Sequence, residues 1–141
     1  MQSLQVRTGE IRLQVLDDYG ETRGVFSFNP NDVKSAQQFL DVQVEFEKKQ
    51  AEFEKRVEGA ETPEEQVVIL NEIVDYFKGL VDTCFGEGSS AVLFGDACTL
   101  SMFEDFFVGI TPYYEEASKQ RMAKYSKKKT TTKSTKKTTK K

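Results

Sequence analysis

Histidine is absent from all 141 residues of the chain. That excludes histidine-based catalytic triads, zincin-type metal sites and acid–base steps that run through imidazole. Cysteine is nearly as scarce: Cys84 and Cys98 stand fourteen residues apart in apolar surroundings and read as small buried hydrophobes. Long apolar runs are missing as well. The best of them, such as Val67–Leu70, fall far short of the ~18–20 residues that span a bilayer. No signal-peptide pattern is visible, so a reducing cytoplasmic setting is the default expectation. Proline occurs three times, at positions 30, 63 and 112, and each one marks a candidate helix start.

Acid is missing from one end only. All 23 acidic residues lie within residues 1–118 against nine Lys/Arg, a difference of −14. Residues 119–141 carry the other eleven basic residues and no acid, and from Ser126 onward only Ser, Thr and Lys occur. A segment without apolar side chains cannot offset its ordering entropy, so 126–141 is expected to be a disordered basic tail. Nucleic acid, if bound at all, would be bound through that tail: the body is too acidic to hold a polyphosphate. No aromatics interleave with the basic residues beyond Tyr125, which argues against base stacking. The remaining 1–125 are enough for one hydrophobic core.

Period-2 alternation opens the chain. Leu4 and Val6, then Ile11, Leu13 and Val15, then Phe26 and Phe28 each skip a residue, which favours strands within 3–28. Turns are expected at Thr8-Gly9 and Asp17–Glu21. A small antiparallel hairpin or meander is marginal alone and must cover a helix or pair with another copy.

The rest reads as helix. Asn29-Pro30-Asn31-Asp32 predicts a start with Asn29 as cap and Pro30 in the first turn. The first helix then spans 30–58, with an inward stripe of Val33, Ala36, Leu40 and Val44 joined by Phe39. Its second half is sparser in apolar residues and is expected to project on a narrow seam. Thr62-Pro63-Glu64-Glu65 has capping-box spacing and starts a helix over 63–85. Its stripe of Val67, Leu70, Ile73, Val74, Phe77, Leu80, Val81 and Cys84 is the most regular in the chain. A short connection makes the two an antiparallel hairpin. Gly86 and Gly88 end the second helix, and Ala91–Phe94 is too short to stand as a helix. Two short helices over 99–108 and 112–125 follow, separated at Gly109. The fold class expected is α+β, with a small N-terminal sheet followed by a helical bundle.

The organising stretch is 85–107, which holds five of the eleven phenylalanines. Leu100, Phe103, Phe106, Phe107 and Ile110 share one broad helical face. It serves either as core or as a surface for an apolar partner, and its width predicts one accessible edge at Phe106, near Tyr113 and Tyr114. The candidate client-binding set is Phe94, Phe103, Phe106, Phe107, Tyr113 and Tyr114. No catalytic, cofactor or metal site is expected. Glu104-Asp105 point about 100° apart on a helix, Asp17-Asp18 sit at a turn, and Gly86-Glu87-Gly88 lacks the lysine and hydroxyl residue of a P-loop.

Three groups of residues carry a family resemblance: Phe26-Ser27-Phe28-Asn29-Pro30-Asn31-Asp32-Val33; Phe85-Gly86-Glu87-Gly88 with Val92-Leu93-Phe94-Gly95-Asp96-Ala97; and Met102-Phe103-Glu104-Asp105-Phe106-Phe107 followed by Gly109-Ile110-Thr111-Pro112-Tyr113. Over roughly 10–125 the chain resembles the tail assembly chaperones of long-tailed phages and prophages of Gram-positive hosts. The resemblance implies a non-enzymatic assembly factor in the host cytoplasm. It would coat the hydrophobic tape-measure protein until tail-tube subunits replace it, with homo-oligomers among the forms open to it. It also implies a longer frameshifted product, for which the codons of Lys127-Lys128-Lys129 are a candidate slippery run. Two other readings stand beside it: a nucleic-acid-associated phage protein acting through the tail, and a secretion-type acidic chaperone.

Overall fold

A computed structural model describes the backbone of residues 1–140 and the side chains of residues 1–125. The chain runs β1 (Ile11–Leu16), β2 (Thr22–Phe28), α1 (Val33–Glu58), α2 (Pro63–Phe85), α3 (Ser89–Phe94) and α4 (Ser101–Lys140). It is an α+β fold in which a two-stranded antiparallel hairpin caps a helical bundle. The expectation of disorder over 126–141 falls on residues outside the fully described set.

The hairpin forms where alternation and turn chemistry coincide. Ile11 pairs with Phe28, Leu13 with Phe26 and Val15 with Gly24. This register sends one face to the core, with Phe26 and Phe28 buried and Arg12, Gln14 and Ser27 in water. The turn closes as Asp17 accepts from the amides of Tyr19 and Glu21, both at 2.9 Å. Those bonds hold its carboxyl below the usual range. Past Val15 the register shifts, so Leu16 pairs with Thr22 and Arg23 has no partner. Such bulges re-aim a side chain; here Arg23 Nη1 donates to the Leu93 carbonyl of α3 at 3.2 Å.

The strand expected around Leu4 and Val6 does not form. Both are exposed, and residues 1–10 have no regular structure. Alternation marks strand-forming potential, but a strand needs a ladder partner, and the hairpin's own pairing uses only 11–28. The segment is nevertheless tied down at its end. Asn29 Nδ2 donates to the Thr8 carbonyl at 3.0 Å and Asn31 Nδ2 to that of Gly9 at 2.9 Å. Gly9 sits at φ +91°, and a Cβ there would lie 2.7 Å from Asn31 Cβ. Glycine is the residue that fits both constraints.

This use of Asn29 moves the start of α1. Its side chain is taken by Thr8 and by the amide of Asn31, so Asp32 caps instead, accepting from Ser35 N at 2.8 Å. Pro30 lies outside the helix, buried, with its carbonyl receiving Arg121 Nη1 at 3.1 Å from α4. The Asn-Pro-Asn-Asp stretch is a junction of three segments as well as a helix start.

The inward face of α1 also differs from the expected one. Phe39 and Val42 are buried and Phe46 and Phe53 pack on the core, while Val33, Leu40 and Val44 stay exposed. Two stripes of helical period compete for one helix here. The phenylalanine stripe removes more apolar area from water and wins. Glu45/Lys49 and Glu52/Arg56 have the i,i+4 spacing of helix-surface ion pairs, but these residues take other partners. Tyr76 OH donates to Glu45 at 2.6 Å, Lys49 meets Glu52 at 3.2 Å, and Arg56 crosses the hairpin to Glu72 at 2.8 Å.

α2 agrees closely with its pattern. Thr62 accepts from Glu65 N at 3.2 Å, though Glu65 reaches back to the amide of Glu61 rather than that of the cap. Ile73, Val74, Phe77 and Val81 are buried, whereas Val67 at the distal end is exposed. Gly86 ends the helix at φ +113°. The segment thought too short to be helical is α3. Asp82 makes this possible: its carboxylate accepts from Ser90 N at 2.8 Å and Ser90 Oγ at 3.0 Å, capping α3 from a neighbouring helix.

The two helices expected over 99–108 and 112–125 are one. α4 passes through Gly109 and Pro112, and its buried positions Phe103, Phe106, Ile110, Tyr114 and Ala117 keep helical spacing across both. Pro112 withholds a bond from the Val108 carbonyl, but Pro112 and Val108 lie on the wet side of the helix, where water can take that bond. Burial of the opposite face carries the helix over a break that local propensity favours.

Candidate functional site

The six aromatic candidates converge, but inward. Phe103 is fully buried, with ring centroids 4.8 Å from Phe94, 5.5 Å from Phe77 and 5.7 Å from Phe46. Phe106 is 7 % exposed and touches Phe26, Phe85, Phe94 and Phe107. Phe107 is half-buried against Phe39 and Phe46, and Tyr114 stacks on Phe39 at 4.0 Å. Only Tyr113, edge-on to Phe28, keeps a substantial exposed share, 37 %. The accessible edge expected at Phe106 is therefore not there. The face is too broad for one neighbour, as its arc suggested, but α1, α2, α3 and the hairpin all contribute to covering it.

α1 also carries exposed apolar side chains. Val33, Leu40 and Val44, which period alone assigned to the core, form an outer stripe. Beside it runs an open groove of about 430 Å³ between α1 and α4, lined by Ala36, Phe39, Leu40, Gln43, Thr111 and Tyr114 among others. Burial pushes the Tyr114 phenol up to about 12, with Ser35 Oγ 3.4 Å from its hydroxyl pulling slightly the other way. Phe39 and Tyr114 line the groove together with the charged Glu115, Lys119 and Arg121 of α4.

A second pocket, of about 490 Å³, separates the hairpin from the start of α4. It is lined by Val15, Arg23, Leu93, Met102, Asp105 and Phe106 among others. Asp105 enters it without Glu104, so the adjacent acids do not act as a pair. Among the described residues no cluster of three His, Cys, Asp or Glu is placed to hold a metal ion, and no buried side-chain polar atom lacks a partner. Cys84 is half-buried, and burial alone raises its thiol to about 11. Cys98, expected to be buried, is exposed, with Sγ 3.1 Å from the amide oxygen of Asn71. It sits in the loop before α4, where no helix packs over it.

Sequence reasoning missed the two arginines that fasten the elements together. Arg23 is marked by nothing in one dimension except its place near a turn. Arg121 is one charge among many, and only the buried Pro30 carbonyl singles it out.

These features define a small helical bundle braced by a β-hairpin, with open grooves of mixed polar and apolar lining on its surface. The chain belongs to a family of unknown function, DUF6673, whose model matches residues 23–140. No curated protein and no solved structure matches it. Among the described residues no helix is long and apolar enough to cross a membrane.

Proposed function

We propose that this chain is a tail assembly chaperone of a long-tailed phage or prophage, a non-enzymatic protein of the host cytoplasm. It binds the hydrophobic tape-measure protein and yields it to tail-tube subunits as the tail assembles. The observation that supports this reading is the exposed stripe Val33, Leu40 and Val44 beside the α1–α4 groove. Apolar side chains at helical spacing, next to a trough where Phe39 and Leu40 meet Glu115, Lys119 and Arg121, suit an incoming amphipathic helix, which would seat its own stripe there. An open, shallow trough also suits reversible capture, because a client that must later be released cannot be sealed in.

The resemblance carries the identity of the client, and co-expression tests it. The tape-measure protein of the same phage, insoluble when produced alone, is expected to remain soluble and to co-purify with this chain. A tape-measure protein that aggregates equally with and without the chain rejects the reading. Retention of double-stranded DNA on a column of this protein at physiological salt, with no capture of the tape-measure protein, would favour the tail-mediated nucleic-acid function instead.

A further inference from the structure

The α1–α2 hairpin reaches further than the bundle that covers it. At the level of Ile73 and Phe77 the core face of α2 is sealed. One and two turns further out, Leu70 is only half-buried and Val67 is 57 % exposed. Phe53 and Val57 on α1 are half-buried opposite them. The result is a cleft of about 220 Å³ lined by Phe53, Val57, Leu70 and Ile73. Among the described residues Leu100, just ahead of α4, is the one lining residue from outside the hairpin. The hairpin's inner seam therefore continues past the point where α4 begins.

The rim is acidic. Glu54 and Glu58 line one wall of the cleft. Residues 52–72 hold seven acidic side chains and two basic ones, and one of those two, Arg56, is already paired with Glu72. We propose that this distal seam docks one helix of a partner protein whose apolar stripe is flanked by Lys and Arg. A second copy of this chain is disfavoured, since seam against seam would set Glu54 and Glu58 against their own like charges. A cationic helix answers both features: apolar knobs for Val57, Val67 and Leu70, and positive flanks for the rim. The seam is separate from the α1–α4 groove, and the inference does not depend on the client's being a tape-measure protein.

The probe is an 18-residue peptide with leucine at heptad a and d positions and lysine at e and g, compared with one carrying glutamate at e and g. Fluorescence anisotropy with the full chain is expected to show binding of the lysine peptide only. The double variant Glu54→Lys/Glu58→Lys should weaken it by about tenfold at low salt, since each reversal turns an exposed attraction into a repulsion. Val67→Ser should also weaken it, whereas Glu87→Lys, a charge reversal away from the seam, should not. All three variants alter exposed side chains, and melting curves matching the parent establish that they fold. Equal binding of both peptides, or equal loss with Glu87→Lys, overturns the proposal. A parent that sediments as a dimer, and as a monomer once Val67 is serine, overturns the choice of partner. Unchanged tape-measure capture by the double variant leaves the proposed function standing, whatever the peptides show.

Discussion

Phe103 ties three helices of the core together. It is fully buried and sits among Phe46, Phe77 and Phe94, drawn from α1, α2 and α3. Phe103→Ala would open a cavity that no single helix can close, because its walls belong to three different elements. Large-to-small changes of this kind cost ~3–5 kcal/mol. Unfolding entropy near ~2.1 cal/mol/K per residue gives roughly 0.25 kcal/mol/K for a domain of this size, so the melting temperature should fall by about 12–20 °C. Leu40→Ala is the matched control. It removes an aliphatic side chain that is already 55 % exposed, and should cost under ~1 kcal/mol. Thermal and urea melts followed by circular dichroism measure both. A Phe103→Ala melting point within about 4 °C of the parent would refute the core described here, and a Leu40→Ala loss as large as that of Phe103→Ala would refute the outward orientation of α1's stripe.

Three further outcomes follow from particular contacts. Gly9→Ala combines a positive φ with a Cβ 2.7 Å from Asn31 and should cost ~1–3 kcal/mol, read as a lower urea midpoint; an unchanged midpoint would show that the N-terminal segment is not held. Asp82→Ala removes the carboxylate that caps α3 and should cost ~1 kcal/mol, with amide protection lost first over 89–95 in hydrogen exchange. Cys84 and Tyr114 have raised folded pKa values, about 11 and about 12, so their neutral forms favour the fold. That contribution is intact below their ordinary values of 9.0 and 10.0 and is lost as pH climbs toward 11 and 12. Stability should therefore decline above about pH 9, less steeply in Tyr114→Phe, and identical alkaline slopes in parent and variant would contradict the burial of that hydroxyl.

How much of this was legible in one dimension depended on whether a pattern had a rival. α2 had none: one stripe, one cap, one glycine stop, and its limits were found as expected. α1 carried two apolar stripes, and helical period cannot choose between Val33/Leu40/Val44 and Phe39/Phe46/Phe53. Only the volume available in the core decides that. Gly109 and Pro112 read as breaks because propensity is local, whereas the burial of Phe103, Phe106, Ile110 and Tyr114 along one side of α4 is not. The aromatic candidates read as a cluster that serves as core or as contact, and all but Tyr113 turn inward. Whether a phenylalanine is core or contact depends on neighbours such as Phe26 and Phe85 that are distant in sequence. The distal seam was partly visible, since the thinning apolar content of α1's second half already implied a projecting hairpin.

On the proposed function, α1's outer stripe, and not the aromatic core, receives the client. The direct measurement is the affinity of the tape-measure protein for the parent and for Leu40→Ser/Val44→Ser, with melting curves on both. A loss of tenfold or more in affinity at an unchanged melting temperature is the result predicted. Undiminished affinity in a fully folded double variant would contradict it.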